Sequence, residues 1–296
     1  MAGTGLRPAA EAAKGPGEAE KLLVPPAGRE RSARVAAAAA PALALAVTAL
    51  ASFLAVAALA SASTAGRAAA AAASRNLEDE AAAGSLLPHV QVAPYGVLGV
   101  QLQTSGSMAK AAAEPGEHTA VVDPAGLPFI QELGPRNAGG ASGAIYRWLG
   151  IRAEGSFPAA VRQAVRSPGD AKLHSYGGQA VIHVVGPDLR GASSEGKAVE
   201  ELAEAYAGVL SEFLSSDASR LRLLPVSGGV YAGDFRAELP RLTFRALDRG
   251  FRTLPAPQRQ ALLRRLGART AEMCIFAEAE LHGYQAACPT CGGRKA

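Results

Sequence analysis

Beyond Leu87 the chain alternates short apolar runs with longer stretches whose apolar residues recur every three to four positions. Val97–Leu102 reads as a strand. Thr119–Val122 reads as another, ending at Asp123-Pro124. Ala180–Val185 is the clearest, stopped by Gly186-Pro187. Leu221–Val226 runs into Ser227-Gly228-Gly229, and Ala271–Phe276 completes the set. Short, mostly apolar runs of this length suit buried strands. Between them, residues 197–214 place Val199, Leu202, Tyr206, Val209, Leu210 and Phe213 on one face, with Glu200, Glu201, Glu204 and Glu212 away from it. That spacing predicts a helix with one buried stripe, and Leu239–Phe251 and Gln258–Leu266 predict two more. Buried strands alternating with amphipathic helices imply an α/β sandwich with a mixed or mostly parallel sheet.

The pattern is different before Leu87. Residues 1–34 are rich in proline, glycine and charge, and are expected to be disordered. Val35 to Gly66 holds no charged residue, and the segment 35–62 is long enough for a transmembrane helix without the polar face of a soluble one. Lys21, Arg29, Arg31 and Arg34 precede the run, whereas Glu78, Asp79 and Glu80 follow Arg67 and Arg75. This balance predicts a single-pass protein with a cytosolic N-terminus and a luminal or extracellular C-terminal domain. A cleaved signal peptide with Ala60-Ser61-Ala62 as its small-residue site would deliver the domain to the same side. An organelle-targeting leader is the third reading, opposed by Glu11, Glu18, Glu20 and Glu30. Residues 63–87 form an alanine-rich stalk, 88–287 the folded domain and 288–296 a cysteine-bearing tail.

Composition narrows the function. Hydrophobic residues make up 49% of the 296, much of it alanine, and aromatics only 5%. The net charge of +4 is not gathered with aromatics into one face, so nucleic acid is not an expected partner. The three cysteines, Cys274, Cys288 and Cys291, are too few for a disulfide scaffold. Cys288-Pro289-Thr290-Cys291 leaves open a redox or structural disulfide, half a zinc site with Cys274 or His282, or neither. His183 falls on a buried strand and reads as a hydrogen-bonded structural histidine, while His118 and His174 have no recognisable partners.

Two glycine clusters suit anion binding at strand ends: Asn137-Ala138-Gly139-Gly140-Ala141-Ser142-Gly143, leading into Ala144–Arg147, and Ser227-Gly228-Gly229-Val230-Tyr231-Ala232-Gly233. Glycine lets backbone amides approach a phosphate, and a helix start adds a favourable dipole.

Taken in order, these segments resemble the macrodomain family over about residues 95–287. Asn137–Gly143 resembles its first glycine-rich loop, and Val181–Pro187 its internal strand ending His-x-Val-Gly-Pro. Leu224–Tyr231 resembles its second phosphate loop, and Cys274-Ile275-Phe276 with the helix near Glu278–Ala286 its final strand and helix. The resemblance implies a three-layer α/β/α macro-like sandwich with a mixed central sheet, binding ADP-ribose or a related nucleotide diphosphate. The residues it points to are Asp123, Asn137, Gly139, Gly140, Ser142, Gly143, Ser227, Gly228, Gly229, Val230, Tyr231 and Phe276, the last stacking near adenine. Asp123 has two readings, a ribose contact or a turn cap. Tyr231 closes over a ligand or packs its own loop.

Three positions depart from the family pattern. Gly106-Ser107 stands where an adenine-binding carboxylate is usual, Asp123-Pro124-Ala125 where Asn-Ala-Asn is usual, and Ser142 where many hydrolases have aspartate. A serine without a partner to deprotonate it is no general base. The expected function is therefore binding without hydrolysis, and no cofactor or catalytic residue is expected. A divergent ADP-ribosyl hydrolase and a pseudo-site used for protein interaction are the alternatives.

Overall fold

The computed structural model describes residues 84–267 and 270–291. The chain divides into two units, Met1–Ala65 and Gly66–Ala296, and every described residue lies in the second. The elements run β1 (Val90–Ala93), β2 (Val100–Leu102), β3 (Met108–Lys110), β4 (Thr119–Ala125), α1 (Gly140–Trp148), α2 (Ala159–Ala164), β5 (Ala171–Tyr176), β6 (Gln179–Val185), α3 (Glu195–Leu214), β7 (Arg220–Leu223), α4 (Leu239–Thr253), α5 (Ala256–Arg265), β8 (Ala271–Cys274) and α6 (Glu278–Ala287).

Six strands form one sheet in the order β1-β8-β7-β4-β6-β5, parallel throughout except for the antiparallel edge strand β5. Strands β2 and β3 pair separately as a hairpin. Side chains alternate across a strand, so β4 and β6 serve two cores. Ala120, Val122, Ile182 and Val184 face α3 and α4. Val121, Ala125, Val181 and Val185 face Ile145 and Tyr146 of α1 and Val161 of α2. The result is the expected three-layer α/β/α sandwich with a mixed sheet. Pro124, which has no N–H to donate, is tolerated in this central strand because pairing with β7 stops at Val121.

Helix α3 is positioned at both ends. Ser194 Oγ accepts from Lys197 N at 3.3 Å and caps its start. The Arg265 guanidinium donates to the carbonyls of Phe213, Leu214 and Ser216 beyond its last turn. Along its length Gly250 of α4 lies against it so closely that a Cβ there would sit 2.5 Å from Ala203 O.

The structure moves several expected boundaries. Strands β1, β3 and β5 and helix α2 carry weak or short patterns that the periodicity did not reveal. Helix α1 begins at Gly140, inside what the sequence presents as a loop. Residues 85–87, assigned to the stalk, belong to the domain: Leu86 is fully buried, and Ser85 Oγ and Leu86 N both donate to Asp248 Oδ1. Cys288 and Cys291, assigned to the tail, are buried in the larger core. Among the described residues no helix is long and apolar enough to cross a membrane. The expected tail 1–34, span 35–62 and stalk up to residue 83 lie outside the described residues.

Candidate functional site

Strands β4, β6, β7 and β8 are parallel, so the loops leaving them gather at one edge of the sheet. The first glycine loop follows β4, and the second follows β7. Helix α1 starts with Gly139 as N-cap, with no side chain capping it and no acidic residue in its first turn. Among the described residues, no protein acceptor takes the amides of Gly139, Gly140 or Ala141, and all three residues are exposed. The amides of Gly229, Val230 and Tyr231 are likewise without acceptors among the described residues. A side chain at Gly139, Gly140 or Gly229 would meet nothing within 4 Å, so packing does not require glycine there. What remains is two rows of unpaired donors, one of them at the positive end of a helix dipole.

Neighbouring side chains hold these rows in place. Ser227 adopts φ 62°, and its hydroxyl donates to Pro187 O at 2.7 Å, tying the second loop to the end of β6. Gly186 permits that approach, since a Cβ there would stand 2.5 Å from Ser227 Oγ. Tyr206 of α3 reaches the same loop: its hydroxyl donates to Leu224 O at 3.2 Å and accepts from Val226 N at 3.0 Å. Leu189 N donates to Tyr231 O at 2.9 Å, and the Arg190 guanidinium lies 5.4 Å from the Tyr231 ring centroid. Arg190 is itself paired with Asp188, whose carboxyl this pairing holds below its ordinary pKa. At the first loop, Arg152 donates to Ala138 O and Gly143 O at 2.9 and 3.2 Å. Gly143 is required by closeness, with Ala138 O 2.4 Å from where its Cβ would be.

Asp123 does not reach the surface beside the two loops. It is fully buried, where its Oδ2 accepts from the Tyr146 hydroxyl at 2.6 Å and lies 2.7 Å from His183 Nδ1. His183 Nε2 in turn lies 2.9 Å from the Tyr176 hydroxyl. The pairing register sets Asp123 directly beside His183 on adjacent strands, and α1 lowers Tyr146 onto both. Burial, and then the neighbouring Asp123 charge, push the Tyr146 phenol far above its ordinary pKa, so it stays a donor. The reading of Asp123 as a ribose contact or turn cap is therefore corrected. It is a structural carboxylate with no surface to offer a ligand, and His183 is structural as expected.

The remaining expected residues divide. Asn137 is exposed in the turn before α1, and Gly228 is half-buried behind the second loop. Val230 is 75% exposed and Phe276 43% exposed, both at the same sheet edge. The Ser142 side chain is buried and turned inward, its hydroxyl donating to Pro124 O at 3.3 Å rather than facing the loop surface. Gly106-Ser107 lies at the turn of the β2–β3 hairpin, where Ser107 Oγ donates to Gln103 Oε1. That hairpin is attached beside Phe276: Leu102 N donates to Phe276 O at 2.9 Å, and Glu278 accepts from Thr104 N and Oγ1. Beneath it, Arg222 pairs with buried Glu272 at 2.9 Å and donates to Val97 O and Ala113 O. Sequence reasoning missed Tyr146, Tyr206 and Arg222. Only Tyr206 gave a signal, as an aromatic with a polar tip in an otherwise apolar stripe.

Cys288 and Cys291 are joined in a disulfide, the first of their alternatives. Cys274 is buried on β8, and among the described residues no cluster of three or more His, Cys, Asp or Glu side chains could hold a metal.

No model of a known protein family matches the chain, and no curated protein does. Among the solved structures that match are macrodomains, the family the sequence resembles. A Trypanosoma brucei macrodomain in complex with ADP is 20% identical over 58% of this chain, with a TM-score of 0.38. The match spans 63% of that protein, less than two thirds of its length. An Oceanobacillus iheyensis macrodomain with ADP is 17% identical over 58% of this chain and 83% of its own, with a TM-score of 0.40. The Trypanosoma brucei macrodomain in complex with ADP-ribose is 18% identical over 66% of this chain and 79% of its own, with a TM-score of 0.34. At such distances the function has to be read from this chain's own loops.

Proposed function

We propose that the domain binds a nucleotide diphosphate, ADP-ribose or a close relative, between the loops at Gly139-Gly140 and Gly229-Val230-Tyr231, and does not hydrolyse it. The observation that carries this reading is the pair of unpaired amide rows at one sheet edge. Backbone donors at a helix start suit the oxygens of a diphosphate, and exposed Phe276 offers an apolar face for a base. The absence of turnover follows from the side chains. Asp123 is buried and engaged, Ser142 is turned to Pro124 O, and Asp188 and Glu278 are tied to Arg190 and Thr104. No free carboxylate among these is placed to activate water.

Calorimetry with ADP-ribose and ADP tests the reading. Binding to the unaltered protein is expected, and Gly229→Glu should abolish it without loss of stability, because that position opens to solvent. Equal affinity in the variant would remove the second loop from the site. Rapid release of ADP-ribose from a modified protein substrate would overturn the non-hydrolytic part alone.

Residues 35–62 are further proposed to anchor this domain in a membrane, with its C-terminal side non-cytosolic. The uncharged run and the upstream lysine and arginine excess support this, and a disulfide is the form an oxidising compartment favours. Release of the intact chain by alkaline carbonate would refute the span. Protease access to the domain from the cytosolic side would refute the orientation.

A further inference from the structure

The Cys288–Cys291 disulfide encloses only two residues, at the C-terminal end of α6. It joins no two separate elements of the domain. Loop-closure entropy grows with the length enclosed, so so small a ring restrains the unfolded chain little. Stapling is therefore a poor explanation for the pair, and no further ligands gather for a metal among the described residues. The third cysteine cannot interfere. Cys274 is 1% exposed, and burial pushes its thiol well above the usual range.

We propose that Cys288 and Cys291 form a reversible dithiol–disulfide couple that exchanges electrons with an external vicinal dithiol. Cys291 is 8% exposed and Cys288 2%, so Cys291 is the more accessible of the two sulfurs and the one an incoming thiolate reaches first. An incoming thiolate bonds to Cys291 Sγ, the Cys288–Cys291 bond breaks, and Cys288 leaves as a thiolate that takes up a proton. Thr290 Oγ1 lies 3.9 Å from Cys288 Sγ, placed to donate to the departing sulfur. The partner's second thiolate then attacks its own sulfur in the mixed disulfide. Cys291 is released and protonated, and the partner departs oxidised to a disulfide. Cys288 caps the C-terminal end of α6, where the helix carbonyls disfavour a thiolate. The reduced form thus lacks the thiolate stabilisation that makes a couple strongly oxidising. The resting state is the disulfide, and its reductant is a dithiol rather than a monothiol.

The test is thiol counting on the full chain, equilibrated in dithiothreitol or glutathione redox buffers, acid-quenched, denatured, labelled with maleimide and weighed. One labelled thiol is expected in oxidising buffers and in glutathione, and three in reducing dithiothreitol. Reoxidation should return the count to one, and the near-ultraviolet dichroism of the fold should persist throughout. A Cys288→Ser, Cys291→Ser double variant should give one thiol in every buffer. Thr290→Val should slow reduction roughly two- to tenfold, the loss of one hydrogen bond. A bond that resists dithiothreitol until denaturant is added, or whose reduction unfolds the domain irreversibly, would overturn the couple. Full reduction by glutathione would overturn the dithiol partner. None of these outcomes depends on nucleotide binding.

Discussion

Tyr146→Phe removes one hydroxyl from the interior and leaves the ring, which packs edge-on against Phe157 at 5.2 Å between centroids. The hydroxyl donates at 2.6 Å to Asp123 Oδ2, the same oxygen that His183 Nδ1 approaches. The other carboxyl oxygen of Asp123 is buried with no hydrogen-bond partner among the described residues. Without the phenol the carboxyl group keeps the His183 Nδ1 contact alone. A hydrogen bond to a charged group contributes about 1.5–3 kcal/mol, so the variant should lose about that much stability, a roughly 10- to 150-fold shift in the unfolding equilibrium. Urea denaturation should show a lower midpoint at unchanged slope. Because the chain Tyr146–Asp123–His183–Tyr176 lies in the interior and not among the exposed loop amides, ADP-ribose affinity measured well below the transition should be unchanged. A stability loss under about 0.5 kcal/mol, the range of ordinary surface changes, would refute the account of Asp123 as a buried scaffold. A selective loss of affinity would reinstate it as a ligand residue.

Two further outcomes follow from other parts of the domain. The Glu278 carboxyl is held below its ordinary pKa first by the Thr104 backbone N–H and then by the Thr104 hydroxyl. A depressed folded pKa means the contact is present at pH above the unfolded value and is lost as pH falls through the folded one. The protection of the Thr104 amide, its exchange rate relative to that of an unstructured amide at the same pH, should therefore fall only in acid, and unchanged protection there would refute the contact. Gly250→Ala gains about 1 kcal/mol of helix propensity but drives a Cβ to 2.5 Å from Ala203 O and 3.0 Å from Ala207 N. Backbone cannot swing aside as a side chain can, so overpacking of about 1–3 kcal/mol should win. A melting temperature equal to or above that of the unaltered protein would refute this.

What was legible in the sequence follows physical rules. Ala180–Val185 and residues 197–214 were read nearly to their ends because their patterns come from burial on both faces and on one stripe. Strand β5 escaped because it is an edge strand whose residues are mostly half-buried, with Lys172 and His174 interrupting any apolar run. Strand β2 was read three residues too early, at Val97, and its partner β3 escaped because it is three residues long and mostly exposed. Helix α1 was placed too late, since Gly140-Ala141-Ser142-Gly143 has loop composition, and only the Arg152 brace and the close approach of Ala138 O show why it is helical. Asp123 was misplaced for a different reason. A carboxylate before Pro-Ala looks like a surface residue until the register sets His183 beside it and α1 delivers Tyr146.

The three departures from the macrodomain pattern have three separate structural fates. Ser107 sits on an exposed hairpin turn, bonded only to its own neighbours Gln103 and Ser105. Asp123 has turned into the core and acquired a buried network. Ser142 has turned inward to Pro124 O, where it fastens α1 to β4. Two of the three thus contribute to the scaffold. Restoring one chemically active side chain at Ser142 would also remove a fastening and place a charge at a buried position, at a cost its catalytic gain does not offset. The backbone amides face no such conflict, because no side chain has to be given up for them to point outward. The proposed recognition of a diphosphate and the proposed absence of hydrolysis are for that reason compatible in one site: the first depends on where the main chain runs, the second on side chains engaged in packing.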